Sequence, residues 1–352
     1  MFARPRSSPL LSARPNARAR DQPQIGGHFV EDAATNRVLF DEPPVRRLNE
    51  RLVGAAAGGV DLLDGAEKWE EARKCPNKLR GVLEFLQARM LHSGGGLSAA
   101  VGGADVVSRQ SLLNRVATTP FFRDSAFDPG FSFVACLLGG VLFLCELPEA
   151  AGAAGRRRNN AFIRAKLEHL LTADSPEADV KATASKSWNV LSACMLEADG
   201  VAHRLLLATT ASAVDGLGNY VQILPFAASG PPRLPVHLQL RYALLGVLSG
   251  QRRVIGGQHE PRGGRLQRVV ELDAAALLQD GQEANAERGL EYLADLLARV
   301  RAALQAEDGL LLHVQRPKKQ AAVEMRPVPP DQRAQFDFIG EEFRRLVHQS
   351  TR

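Results

Sequence analysis

Two apolar runs, residues 131–138 (FSFVACLL) and 141–147 (VLFLCEL), are separated only by Gly139 and Gly140. Paired glycines supply the positive φ that a two-residue hairpin turn demands. Neither run alternates apolar with polar residues, so the hairpin they form is expected to be buried on both faces. Such a hairpin must be covered above and below, and the rest of the chain has to supply the cover.

Helical periodicity shows where that cover comes from. Over residues 77–91, Leu79, Val82, Leu83, Leu86 and Met90 share one face, and Ser93-Gly94-Gly95-Gly96 ends the helix. Residues 160–171 turn Phe162, Ile163, Leu167, Leu170 and Leu171 inward. Residues 236–248 form another helix, and residues 285–304 carry Leu290, Leu293, Leu296, Leu297, Val300 and Leu304 on one stripe. A second hairpin is expected from arms 205–214 and 220–224 around Gly216-Leu217-Gly218-Asn219, with a short strand over 253–256. Strands and helices mix without a strict βαβ rhythm, which predicts an α+β fold, a mixed sheet flanked by helices. No repeat or break in composition divides the chain. Residues 22–352 therefore read as a single domain behind a disordered basic arm, residues 1–21.

Charge narrows the partners. The formal net charge of +5 suits an anion such as nucleic acid, although Arg4, Arg6, Arg14, Arg18 and Arg20 all precede the first acid, Asp21. Arg156-Arg157-Arg158 is open to two readings, a solvated charge run and an RNA contact. Cys75, Cys136, Cys145 and Cys194 form no CxxC pair, which fits a reducing compartment and argues against zinc. No run reaches the roughly 18 apolar residues of a membrane span. Leu10-Leu11 is too short for a secretory core, and the acid-free start is open to two readings, a disordered arm and a mitochondrial transit peptide. There is no phosphate-binding GxxxxGK loop, no GxSxG elbow and no HExxH spacing. Gly256-Gly257 and Gly263-Gly264 read as turns.

The order of segments says more than any single motif. Gln22-Pro23-Gln24-Ile25-Gly26-Gly27-His28-Phe29 is followed by Val60-Asp61-Leu62-Leu63-Asp64-Gly65-Ala66-Glu67-Lys68-Trp69. Val106-Val107-Ser108, Thr118-Thr119-Pro120-Phe121 and the first hairpin come next. Arg241-Tyr242, residues 250–257 and residues 266–272 close the series. From Gln22 to about Ala276 this succession resembles the DXO family of decapping exoribonucleases. The resemblance implies a fold similar to PD-(D/E)XK nucleases, with a mixed two-sheet core flanked by helices. It also implies Mg²⁺ or Mn²⁺ held by carboxylates from a helix and a hairpin, with a lysine and a glutamine at the scissile phosphate.

Carried over residue by residue, the helix glutamate falls on Ile163, after Phe162. The hairpin's Glu-hydrophobic-Asp falls on Ala213-Val214-Asp215, leaving Asp215 as a vestigial metal ligand. The returning Glu-hydrophobic-Lys falls on Gln222-Ile223-Leu224, and the glutamine falls on Leu245. The early arginine falls on Gln110, or on Arg109 with a one-residue shift, so both join Arg156, Arg157 and Arg158 as RNA-binding candidates. One carboxylate in place of three would hold a divalent ion poorly.

Three readings stay open. In the first, the chain is a degenerate family member, similar in its hairpin to Cutoff-like members. It then needs no cofactor and binds RNA 5' ends, a nuclear 5'→3' exoribonuclease or a chromatin-associated complex. It would act in the nucleus, in RNA surveillance or piRNA-source transcript protection. In the second, it is an active Mg²⁺- or Mn²⁺-dependent enzyme removing NAD-type caps, with ligands displaced to residues such as Glu168, Asp174 or Glu197. In the third, it is an unrelated α+β interaction module in which Ile163 is core and Asp215 caps a turn. The family readings require Ile163, Ala213, Asp215, Gln222, Leu224 and Leu245 to surround one pocket.

Overall fold

A computed structural model of the chain describes residues 18–40, 46–55, 59–69, 75–148, 154–172, 180, 185–198, 200–228, 230, 234–261, 264–279, 281–305 and 309–350. The strands are β1 (Arg18–Asp32), β2 (Arg37–Leu39), β3 (Val106–Arg109), β4 (Phe131–Leu138), β5 (Val141–Glu146), β6 (Lys186–Ala198) and β7 (Val201–Ala211). They continue with β8 (Ala213–Val214), β9 (Tyr220–Ala227), β10 (Arg253–His259), β11 (Leu266–Asp273), β12 (Leu311–Arg316) and β13 (Glu324–Pro327). The helices are α1 (Arg80–Ser93), α2 (Leu97–Ala100), α3 (Gln110–Phe122), α4 (Ala154–Thr172), α5 (Val236–Ser249), α6 (Ala274–Gln279), α7 (Glu283–Leu304), α8 (Arg333–Phe336) and α9 (Glu341–Ser350).

Two sheets organise these elements. A nine-stranded sheet runs β13-β12-β4-β5-β3-β7-β6-β1-β2, and a four-stranded sheet runs β11-β10-β9-β8. Most neighbours are antiparallel, whereas β3 lies parallel to both β5 and β7, and β9 parallel to β10. The expected α+β, two-sheet architecture is the one observed.

The double-glycine hairpin sits near the middle of the large sheet, with Gly139 and Gly140 at φ 55 and 79. Both of its faces are buried, as the unalternating sequence requires. Phe131, Phe133 and Ala135 join one core layer with α3, α5 and α7, while Val134, Cys136 and Leu138 join another with α1 and α9. Gly289 of α7 explains how one layer closes, because a Cβ there would lie 2.5 Å from the Ala117 carbonyl oxygen of α3. Cys136, Cys145 and Cys194 are buried thiols of these layers. Among the described residues no helix is long and apolar enough to cross a membrane.

Several expectations shift. Regular structure starts at Arg18, whose backbone pairs with Glu197, so four residues of the expected arm belong to β1; residues 1–17 lie outside those described. The helix expected at 160–171 begins at Ala154, which places Arg156, Arg157 and Arg158 in its first turns; their side chains lie outside the described residues. Gly256 and Gly257 are not a turn but interior residues of β10, opposite Val270 and Val269. Gly257 is needed there because a Cβ would lie 2.5 Å from Leu167 of α4, so the missing side chain lets α4 settle on the small sheet.

The second expected hairpin is split between the sheets. Residues 201–211 pair with β6 in the large sheet, and only Ala213 and Val214 pair with β9, in register with Val221 and Tyr220. The chain passes from one sheet to the other at Ser212, whose N–H still donates to the Val221 carbonyl.

Candidate functional site

The crossover at Ser212 builds the site, because it brings α4, the end of β7, the β8–β9 hairpin and α5 together. Side chains alternate along a strand, so Ala213 and its partner Val221 share one face of the small sheet. That face is apolar: Ile163, Leu167 and Leu171 of α4 pack there with Ala213, Val221, Ile223 and Ile255. Two positions matched to metal-binding glutamates, Ile163 and Ala213, are therefore together, and they are sealed in a hydrophobic layer.

The opposite face is polar at its upper end. Ser212 and Gln222 are cross-strand neighbours by the same register. The Ser212 hydroxyl donates to Glu168 Oε1 at 2.8 Å. Gln222 donates its amide to the Thr210 carbonyl and, at 2.7 Å, to Gln251 Oε1. Below this polar stretch, Leu224 enters an apolar cluster with Ala243 of α5, Val254 and Leu277. Leu245, further along α5, is buried.

The helix carboxylate at the hairpin is thus Glu168 rather than a side chain at 163. Leu167-Glu168 lies five residues beyond the position sought, yet it offers an apolar residue followed by glutamate, the same pattern as the motif sought at Phe162-Ile163. Asp174, the second displaced candidate, lies outside the described residues, and Glu197 stands on β6 opposite Ala202.

Each carboxylate near the hairpin is held by arginine. Glu168 pairs with Arg164 at 3.0 Å and with Arg46 at 3.5 Å, and Arg46 also donates to the Lys186 carbonyl. Asp215 accepts the N–H groups of Leu217 and Asn219 at 2.9 and 2.8 Å, fixing the turn, and an N–H of Arg253 at 3.3 Å. Burial acts to raise the Asp215 pKa, but the Asn219 and Leu217 N–H groups and Arg253 outweigh it and hold the carboxyl below its usual range. Arg253 also grips Glu50 and Glu271, and these hydrogen bonds push its own pKa up.

These donors do not fit a divalent cation. Among the described residues no three Asp, Glu, His or Cys side chains group as metal ligands would. A cation at Glu168 or Asp215 would also have to displace a bound guanidinium. The Leu224 side chain can neither ligate nor place positive charge on a phosphate.

The RNA-binding candidates Arg109 and Gln110 flank the site at the end of β3. Arg109 is committed to Glu31 through two bonds of 2.6 and 2.7 Å and to Asn189 at 2.8 Å. The Thr210 hydroxyl donates to the same Asn189 oxygen, which connects this network to Gln222 through the Thr210 backbone. Gln110 starts α3, and both its Nε2 and that of Gln251 are buried donors with no hydrogen-bond partner among the described residues. The structure therefore does not gather all the predicted residues: Ile163 and Ala213 share one face of the small sheet, while Gln222 and Leu224 share the other.

A family model described as RAI1-like PD-(D/E)XK nuclease matches residues 21–193. The fold is similar to that of Candida albicans Rai1 in complex with pU5-Mn2+, with TM-score 0.72 and 11% identity, covering 96% of this chain and 98% of that one. It is similar also to Scheffersomyces stipitis Rai1 in complex with (3'-NADP)+ and calcium ion, with TM-score 0.71 and 13% identity, covering 95% and 98%. K. lactis Dxo1 in complex with manganese gives TM-score 0.62 and 11% identity over 88% and 91%. No curated protein matches the chain in sequence. A two-sheet PD-(D/E)XK nuclease scaffold is what this architecture and these likenesses define. The first half of the chain matches the RAI1-like nuclease model, and the whole fold is similar to the Rai1 and Dxo1 structures, in keeping with the DXO decapping nucleases its segment order resembles.

Proposed function

We propose that the protein binds RNA 5' ends without cleaving them, in a groove that this reading places beside the β8–β9 hairpin, between α4 and α5. One observation carries this reading: the two carboxylates at the hairpin, Glu168 and Asp215, are engaged by the guanidinium groups of Arg46, Arg164 and Arg253. In an active member of this family acids would hold the cation that neutralises a phosphate. Here guanidinium groups stand beside those acids, and arginine recognises phosphate directly through paired N–H donors. The buried Gln110 and Gln251 amides add donors that a ligand can satisfy. The related Candida albicans Rai1 bound to pU5 and manganese supports the choice of a 5'-phosphorylated strand as ligand. A nuclear role in RNA surveillance, with a protein partner such as a 5'→3' exoribonuclease, belongs to the same reading.

One observation favours a second reading, an active divalent-metal decapping enzyme. Glu168 already reaches the hairpin, so a helix carboxylate is in place. Binding of 5'-monophosphorylated and NAD-capped oligonucleotides, followed alongside their cleavage in Mg²⁺ and Mn²⁺, separates the two. Binding without cleavage supports the first reading. Absence of binding overturns it, and cation-dependent cleavage establishes the second.

A further inference from the structure

Outside the groove, one exposed feature is built more firmly than its exposure would suggest. Phe127, 57% exposed, stacks on His237 with ring centroids 3.9 Å apart and planes 10° from parallel. Beside them Val236 is 61% exposed. An exposed aromatic usually belongs to a loose loop tip, but this one does not. Its neighbour Asp128 is buried and bonded to Arg316, to the Lys319 N–H and to the Gly130 N–H. The Asp128–Arg316 pair therefore clamps the loop that presents Phe127.

The surroundings are basic. Arg241 lies one helical turn from His237 and is close enough to depress its pKa, after burial, the larger cause. Arg241, Lys318 and Lys319 are exposed, and Arg123 is largely so. The one exposed acid of this loop, Asp124, faces Arg123 at 3.3 Å. A flat aromatic pair edged by positive charge suits single-stranded nucleic acid, whose bases stack on aromatic rings while its phosphates meet cations. It suits an apolar protein segment less well, because four basic side chains would remain at the rim.

Position ties the feature to the groove. His237, Arg241 and Leu245 follow one another at intervals of four along α5, so they form a slowly turning stripe that runs from the aromatic pair toward the end of α5, beyond which Gln251 bonds Gln222. The eight steps from His237 to Leu245 span about 12 Å at 1.5 Å per residue. A stacked strand covers that distance in about four nucleotides at 3.4 Å each.

We propose that Phe127 and His237 form a base-stacking platform for downstream nucleotides of a single-stranded RNA, with Arg241 bridging to its backbone. The proposal rests on the groove holding the RNA 5' end. Affinity of the full-length protein for a 5'-phosphorylated oligouridylate dinucleotide and decamer tests it, by fluorescence anisotropy. Phe127→Ala should weaken the decamer roughly tenfold, the loss of one stacked base, and leave the dinucleotide unchanged. Phe127→Trp adds an exposed indole to a chain whose Trp69 and Trp188 are buried, and its emission should be quenched by the decamer only. Unchanged decamer affinity in Phe127→Ala, together with unquenched emission in Phe127→Trp, overturns the platform and leaves the patch to a protein contact. Quenching by a decamer bearing either a 5'-phosphate or a 5'-hydroxyl, with no dinucleotide binding, keeps the platform while removing the groove reading. No binding of either oligonucleotide removes both.

Discussion

The Ser212 hydroxyl donates to Glu168 Oε1 at 2.8 Å, joining α4 to the point where the chain leaves one sheet for the other. The same carboxylate holds Arg46 and Arg164, so it acts as the counter-ion of a basic cluster. Glu168→Gln keeps an acceptor for Ser212 but removes the negative charge that faces Arg46 and Arg164. Thermal unfolding should show a loss of about 1.5–3 kcal/mol, the range for hydrogen bonds to charged groups. Affinity for 5'-phosphorylated RNA should rise at low salt, because a negative charge is removed from beside Arg46 and Arg164. Weaker RNA binding in this variant would assign Glu168 to the ligand rather than to its neighbours.

Asp215 makes the hairpin turn pH-sensitive. Its pKa is depressed in the fold, so its contribution is present above the unfolded value near 3.8 and vanishes as pH falls through the lower folded value. Asp215→Ala should cost about 1–3 kcal/mol at neutral pH, since buried amides lose their acceptor. The gap between variant and parent should close only in the acid range below that value. Denaturant unfolding from pH 7 down to pH 3 checks this, and a gap independent of pH would contradict it.

Leu224 is 3% exposed among Ala243, Val254 and Leu277, so restoring a lysine there should be harmful rather than reviving. Leu224→Lys should destabilise by about 2–5 kcal/mol, because an ammonium must be buried or the cluster opened. It should confer no cation-dependent cleavage. A stable Leu224→Lys variant would mean the cluster has water access that its burial does not suggest.

Two glycines set helix positions and should not tolerate a methyl group. Gly257→Ala forces Leu167 of α4 away from β10, and Gly289→Ala meets the Ala117 carbonyl. Each should cost about 1–3 kcal/mol by overpacking. Leu167 is a side chain that can shift and Ala117 O is backbone, so Gly289→Ala should be the more severe in melting temperature. Only Gly257→Ala should also alter RNA binding, since α4 carries Glu168 and Arg164.

How much of this was legible beforehand depended on local pattern. Gly139-Gly140 and the leucine stripe of α7 announced themselves, because one turn chemistry and one period fix each of them. β1 did not: Pro23 and Gly26-Gly27 interrupt its alternation, and the register against β6 shifts at two places. The 205–214 arm looked like a single strand, yet it changes sheets at Ser212, a break no periodicity reports. At the site, the turn holding Asp215 and the strand carrying Gln222 were legible from the glycine-rich turn residues. Periodicity already turned Ile163 inward with Leu167, whereas the contact of Glu168 with Ser212 depends on where the chain changes sheets and was beyond the sequence.

The central claim is that arginine-paired acids stand in place of a cation site in an RNA-end groove. It is tested most directly by incubating the purified protein, with Glu168→Gln and Asp215→Ala beside it, with 5'-monophosphorylated and NAD-capped RNA in Mg²⁺ and Mn²⁺. The predicted result is RNA bound and recovered intact by all three proteins. Cation-dependent cleavage by the parent chain that Glu168→Gln or Asp215→Ala abolishes would contradict the account and make those carboxylates working metal ligands.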